Sequence, residues 1–448
     1  MKDMTKGSPI RLILGFAIPL FFGMLFQQFY NLVDMIIVGR FLGASALAAV
    51  GATGSINFMI IGFCMGVCNG FAIPVAQKFG AKDEKQLRYY VANSVWLSII
   101  FAVVMTVTVS LLCRKILVWM DTPEDILDAS YAYIIVIFIG IPVTYLYNLL
   151  SGIMRSLGDS KSPLIFLVIS SVLNIAFDII AIAGMHLGVA GAAGATVLAQ
   201  AISGVCCLIY LIKKFPILRV HGEEWRWRGN FVARLCGMGI PMGLQYSITA
   251  IGSVILQTAV NGLGSVVVAS MTAGGKLSMF FCCPFDAFGS TMATYAGQNL
   301  GAGKLDRVTK GMVQCSFVAA GYSVVAAIVM ILFGKSFALL FVDSTEVEII
   351  ANVAKLLIIN SLFFIPLALV NIIRFAIQGL GFGKLAIFAG VAEMVGRSIV
   401  GFGFVARFGF VAACLASPIA WILADIFLIP AYAYCIRKLR PIIQEKKE

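Results

Sequence analysis

Charge is scarce in this chain. Asp, Glu, Lys and Arg make up 12% of its 448 residues while 60% are hydrophobic, and a soluble domain of this length carries about twice that charged fraction. With apolar runs recurring from end to end, the composition excludes a soluble globular protein and points to a polytopic membrane protein. Short alternating segments are missing too, and with them the signature of a membrane barrel. The uncharged runs reach helix-spanning length instead, as over 91–112 and 312–333, so the expected fold class is an all-α membrane protein.

Other absences narrow the function. No Gly-rich loop of the Walker type precedes a lysine, which removes ATP hydrolysis. The two histidines, His186 and His221, sit in or near loops without the Ser or Cys partners of a hydrolase. The 11 cysteines are odd in number, fall almost all in apolar segments as Cys206/Cys207 and Cys282/Cys283 do, and lack metal-ligand spacing. They read as small packing residues rather than disulfides. Neither an enzyme nor a cofactor is expected. The first hydrophobic run is too long for a cleavable signal and lacks a small-residue cleavage site, so it is expected to remain as the first span.

What the chain has in excess is positive charge, +12 net at pH 7. On a soluble protein that would suggest phosphate binding, but here the basic residues sort by loop. Of the 33 Lys and Arg, 25 fall on one side, among them Arg155, Arg374, Lys384, Lys446 and Lys447. By the positive-inside rule both termini and the longer polar loops are cytoplasmic, in a cell membrane, with no nucleic-acid partner. The chain is expected to work as a monomer.

Twelve spans are read, the first over 10–38 and the last over 408–436, and the chain repeats itself between them. Ala76-Gln77-Lys78-Phe79-Gly80-Ala81 is echoed by Gly297-Gln298-Asn299-Leu300-Gly301-Ala302 at an offset of 221, which also carries Gly43 to Gly264 and Gly188 to Gly409. Leu157-Gly158 and Lys161 answer to Leu380-Gly381 and Lys384 at an offset of 223. Two six-span halves follow: residues 1–212, a linker over 213–230, and residues 231–448. Because each half has an even number of spans, the halves are parallel repeats, the symmetry of alternating-access transporters. The linker carries Glu223-Glu224-Trp225-Arg226-Trp227-Arg228, read first as an interfacial anchor and otherwise as a lipid-headgroup or calmodulin-like site.

One carboxylate stands out. Asp34 lies in a run otherwise free of charge from Leu12 to Gly39, and a charge at such depth costs about 2.5–3.5 kcal/mol on insertion scales, so it faces an interior and acts there. Tyr30 precedes it by one turn on the same helix face. Asn174 and Asp178 repeat that spacing in the fifth span, and Thr196 follows in the sixth. At ~1.5 Å per residue, Asp34 lies ~36 Å and Asp178 ~22 Å from the cytoplasmic ends of their helices, in the outer half of one lobe. Two carboxylates, an amide, a phenol and a hydroxyl suit Na+ or another hard monovalent cation, or a site where one carboxylate takes a proton. The alternative is a set of unrelated polar groups, each satisfied locally between helices.

The second half does not copy this set. Its buried charges are Lys276, Asp286, Lys355, Glu393, Arg397 and Asp425. Glu393 and Arg397, one turn apart, are read as a neutralising pair. Lys276 and Asp286 either line a cavity or meet a neighbouring helix, and Lys355 snorkels. Pro19, Pro142, Pro241 and Pro284 interrupt spans as hinges or static kinks.

Several of these stretches resemble the MATE family, the multidrug and toxic compound extrusion transporters. They are Gln28-Phe29-Tyr30-Asn31-Leu32-Val33-Asp34, Val38-Gly39-Arg40-Phe41-Leu42-Gly43, Ala48-Ala49-Val50-Gly51, Arg155-Ser156-Leu157-Gly158-Asp159 and Gly297-Gln298-Asn299 with Gly301-Ala302-Gly303. The resemblance implies a V-shaped pair of six-helix lobes and export of cationic or amphipathic small molecules in exchange for Na+ or H+. In the prokaryotic branch with its ion site in the first lobe, it assigns cation coupling to Tyr30, Asp34, Asn174, Asp178 and Thr196, and a bend during transport to Pro19. The other branch uses carboxylates in the seventh and tenth helices, which are absent from the middle of those spans here. The alternative within the superfamily is a lipid-linked saccharide flippase, for which Lys276 and Arg397 would have to meet pyrophosphate.

Overall fold

The computed structural model describes residues 2–340 and 343–445; Lys446 and Lys447, counted above among the basic residues, lie outside the described residues. The chain runs through α1 (Pro9–Leu42), α2 (Ala44–Ala52), α3 (Gly54–Gly80), α4 (Glu84–Trp119), α5 (Glu124–Ile139), α6 (Ile141–Ser156), α7 (Lys161–Asp178) and α8 (Gly188–Lys214). It continues through α9 (Gly229–Asn261), α10 (Ser265–Gly301), α11 (Leu305–Ala338), α12 (Val347–Leu362), α13 (Phe364–Gly379), α14 (Gly383–Ile399) and α15 (Val405–Glu445). No strand occurs among the described residues.

Among those residues, nine helices are long and apolar enough to cross a membrane, or eleven if each of two bent helix pairs counts as one span. The stretch Gly383–Glu445, 63 residues long, breaks at Gly409, whose φ of 59° and ψ of −136° no helix contains. Counted as two spans there, it brings the eleven to the twelve read from the sequence. The bent pairs are α5 with α6, at 47°, and α12 with α13, at 53°. Pro142 stands in the first turn of α6, where its missing N–H costs no helical hydrogen bond. Pro241 and Pro284, by contrast, lie inside the uninterrupted α9 and α10.

The repeat is written in the backbone. Gly43 and Gly264, which open α2 and α10, have φ of 88° and 99°. Gly188 and Gly409 have 63° and 59°, and Gly158 and Gly381 have 81° and 93°. Each half also carries one π-helical stretch, Ile179–Gly184 after α7 and Val400–Phe404 after α14.

The chain forms two compact units. Unit 1 is Met1–Asp3 with Phe22–Leu244, and unit 2 is Met4–Phe21 with Gln245–Glu448. The division thus cuts α1 two residues past Pro19 and α9 three residues past Pro241, rather than falling in the linker. In unit 1, α3 and the first half of α9 meet at paired small-residue steps. A Cβ on Gly66 would stand 2.5 Å from Met242 O, and one on Gly70 2.5 Å from Gly239 Cα. Only glycines permit so close an approach of two membrane helices.

The linker is docked rather than loose. Its short turns Pro216–Leu218 and Gly222–Trp225 bury Leu218 and Glu224 against the start of α4. Arg88 Nε donates to both oxygens of Glu224 at 2.8 and 2.9 Å, Trp96 Nε1 donates to Trp225 O, and the Arg228 guanidinium lies 4.2 Å over the Tyr89 ring. The Trp225 and Trp227 side chains stay exposed. All 11 cysteines are free.

Candidate functional site

The first helix delivers two of the five residues. Tyr30 and Asp34 stand one turn apart on α1, both half-buried. From α7 come Asn174 and Asp178, 2% and 0% exposed. Asp178 ends α7 and opens the π-helical stretch Ile179–Gly184, the kind of local widening that recurs at functional positions. Thr196 is presented by α8.

The structure brings all five together. The carboxyl groups of Asp34 and Asp178 are hydrogen-bond partners, and Tyr30 is hydrogen-bonded to Thr196 while facing both carboxyls. With its carboxamide turned so that nitrogen donates to Asp178 Oδ2 at 3.0 Å, Asn174 accepts through oxygen from Thr196 N at 3.1 Å and Oγ1 at 3.0 Å. Asn174 and Thr196 thus form the frame, and the carboxyls are what it holds. Asp34 Oδ1 and Asp178 Oδ1 are buried with no partner among the described residues. Two carboxyls in contact cannot both be ionised without something between them, so they share a proton or hold a cation. A donor set of carboxylate, amide, phenol and hydroxyl oxygens fits a hard cation as well as a proton.

A sixth residue was not singled out in the sequence. Tyr133 of α5, 8% exposed, faces Asp34, Tyr30 and Asp178. Its signal was a lone phenol in an uncharged run, which is also what a packing residue looks like. Next to the pocket, α1 and α7 border an open apolar groove of about 480 Å³ lined by Phe22, Phe26, Phe29, Ile165, Val168 and Ile169 with two leucines, most of them exposed. Phe26 lies one turn before Tyr30 and two before Asp34, so the groove runs up to the polar cluster along one side of α1. Pro19 is inside α1, eleven residues before Tyr30, and takes no part in the pocket.

Unit 2 places its charges differently. Glu393 and Arg397 are paired at 3.4 Å as read from their spacing, but Arg374 holds the same carboxylate more closely, at 2.9 Å. The positive-inside count places Arg374 in a cytoplasmic loop. It lies instead inside α13 and is 7% exposed, because the helix after the bend at Phe363 runs on to Gly379. Arg155 likewise stands in the last turn of α6, bonded to Ser151 Oγ and Asn69 Oδ1. Asp286 is exposed and Lys276 half-buried on α10, and Lys355 is exposed on α12.

Similarity to known proteins follows the same two halves. The MatE family profile matches residues 19–180 and again 241–402. The probable multidrug resistance protein YoeA of Bacillus subtilis (strain 168) is 28% identical over 366 residues, 80% of this chain and 79% of that protein. The probable multidrug resistance protein YpnP of the same organism is 31% identical over 310 residues, 68% of each chain. Among solved structures, the outward-facing conformation of a multidrug resistance MATE family transporter of the MOP superfamily superposes with a TM-score of 0.91. It is 22% identical, over 98% of this chain and 99% of that one, and shows the fold. With both repeats matched by one profile and the fold shared end to end, the chain belongs to the MatE family of membrane transporters.

Proposed function

We propose that the protein is a secondary active multidrug exporter that exchanges organic cations and amphipathic drugs for Na+ or H+ by alternating access. The observation that carries this reading is the contact between Asp34 and Asp178, each with an oxygen left without a partner among the described residues. It is supported by the names of the relatives, which describe multidrug resistance proteins, and by the groove beside the pocket. The apolar body of a substrate fits the groove, and its positive charge meets Asp34 or Asp178.

A Na+ ion or proton entering from outside occupies the same oxygens. That neutralises the carboxyls, and the substrate cation loses its counter-charge. In this scheme α1 changes its bend near Pro19, where the helix already lacks one backbone donor, and the groove it lines changes shape. Inward movement of one charge is worth about 2.3 kcal/mol per 100 mV. One or two ions therefore support a substantial substrate gradient. No cofactor beyond the coupling ion enters the scheme, the chain acts as a monomer in the cell membrane, and both termini are cytoplasmic. Of the two cations a lipid-linked pyrophosphate would have to meet, Lys276 and Arg397, the Arg397 guanidinium is already paired with Glu393 at 3.4 Å.

The test is efflux by Asp34→Asn. The variant is expected to reach the membrane at the wild-type level and to lose ion-driven export of an organic cation. Full export by that variant would refute the reading.

A further inference from the structure

Unit 2 holds a second buried cluster that the pocket of unit 1 does not use. Glu393 of α14 is gripped by Arg374 of α13 at 2.9 Å and by Arg397 of its own helix at 3.4 Å. Arg374 Nη2 also reaches Asn371 Oδ1 at 3.4 Å. Asp425 of α15 faces Arg374 and Glu393, and Asp286 of α10 faces Arg374. From α12, Lys355 is exposed and is set against Cys414, three turns earlier on α15. Arg374, Glu393, Arg397 and Asp425 are all more than nine-tenths buried.

A network built only for packing answers its polar atoms. This one leaves Arg374 Nε, Arg397 Nη1 and Asp425 Oδ1 buried without partners among the described residues. Charge points the same way, for three carboxyls stand against two guanidiniums. Glu393 is paired twice and Asp286 is exposed, whereas Asp425 is buried and makes no ion pair among the described residues. An unpaired carboxylate at such a place is costly and takes a proton instead. With one proton on Asp425 the five groups sum to zero.

We propose that this cluster is a proton-binding site in its own right, with Asp425 as the carboxyl that takes up and releases the proton. The O–H bond forms on Asp425 with a proton drawn from water, and the cluster's charge rises by one. When that proton returns to water, the Asp425 carboxylate becomes an acceptor for the Arg374 Nε–H, and the hold of Arg374 on Glu393 loosens. Two of the three unanswered atoms, Arg374 Nε and Asp425 Oδ1, are the donor and the acceptor of this alternative bond. The site is independent of which ion the Asp34/Asp178 pocket takes.

Infrared difference spectra of the purified full-length protein, taken between acid and alkaline buffers, read protonated carboxyls directly. In the Asp34→Asn/Asp178→Asn chain, one buried carboxyl band is expected to titrate still, and adding Asp425→Asn is expected to remove it. Arg374→Gln is expected to move its midpoint. If Asp425→Asn fails to fold, Asp425→Glu replaces it in protein labelled with carbon-13 aspartate. There the titrating band must leave the labelled set and persist as an unlabelled one. An unchanged set of titrating bands on replacing Asp425 overturns the proposal, and an unmoved midpoint in Arg374→Gln overturns the role of the arginine.

Discussion

At the scale of single residues, the informative ones are polar groups whose surroundings leave them only one partner. Asp34 was legible because a carboxylate in an uncharged run has no cheap explanation, and Asp178 because it repeats the one-turn spacing seen at Tyr30 and Asp34. Tyr133 was not, since a phenol among apolar residues carries no such cost. Arg374 was misread because its run of apolar neighbours ends in glycines that look like a loop, while only its ion pair with Glu393 reveals burial. Glu224 gives a prediction outside the membrane. Burial pushes its carboxyl up, but the His221 N–H and the Arg88 guanidinium outweigh that and hold it below the usual carboxylate range. A depressed folded-state value means that the docking of the linker is stabilised above the ordinary carboxylate pKa of about 4.3 and is lost as pH falls through the depressed value. Glu224→Gln removes that contribution at every pH. Trypsin is expected to cut the variant faster than wild type at the linker's Lys and Arg at neutral pH, and acid is expected to change the tryptophan emission of the wild type only. Equal cutting of the two proteins would show that the ion pair does not hold the linker.

At the scale of elements, helix lengths and the repeat were readable, because charge-free runs and positions that require positive φ are both properties of the chain itself. Gly43 and Gly264, or Gly158 and Gly381, align in sequence for the same reason that they align in the backbone. Helix contacts were less readable. The steps Gly66/Gly70 on α3 and Gly239/Gly243 on α9 are visible as spacing, but which helix each one meets is decided by packing. Gly70→Ala would drive a methyl group into Gly239 and is expected to cost about 1–3 kcal/mol. Thermal unfolding should show a lower midpoint for it, and none for Gly54→Ala, where nothing stands within 4 Å of the added carbon. Equal midpoints would mean that the α3 and α9 contact yields without strain. Pro19 offers the opposite case. Pro19→Ala restores a backbone donor inside α1, and since proline costs about 3 kcal/mol against alanine in a helix interior, the variant should unfold at a higher temperature. If the bend of α1 belongs to the transport cycle, export by that variant slows. An unchanged export rate would remove Pro19 from the mechanism.

At the scale of the whole molecule, two repeats of one family share a backbone but not their chemistry. Unit 1 gathers its carboxyls from α1 and α7 and leaves them facing each other, whereas unit 2 gathers carboxyls and guanidiniums on α13, α14 and α15. At the repeat offset of 221, Asp34 falls on Ile255 and Asp178 on Ile399, so a site on the equivalent positions of unit 2 has no acid to build it. On the proposed function, the asymmetry leaves the Asp34/Asp178 pocket of unit 1 as the place where a small ion and an organic cation compete for the same oxygens. Competition between two ligands is reciprocal in free energy, which makes equilibrium binding the most direct test. A fluorescent organic cation bound to the purified protein should be displaced by Na+ at fixed pH, or by acid without Na+, in the wild type. The Asp34→Asn/Asp178→Asn chain should bind it weakly and respond to neither. Displacement of equal strength in both proteins, or a wild-type affinity indifferent to Na+ and to pH, would contradict the shared pocket.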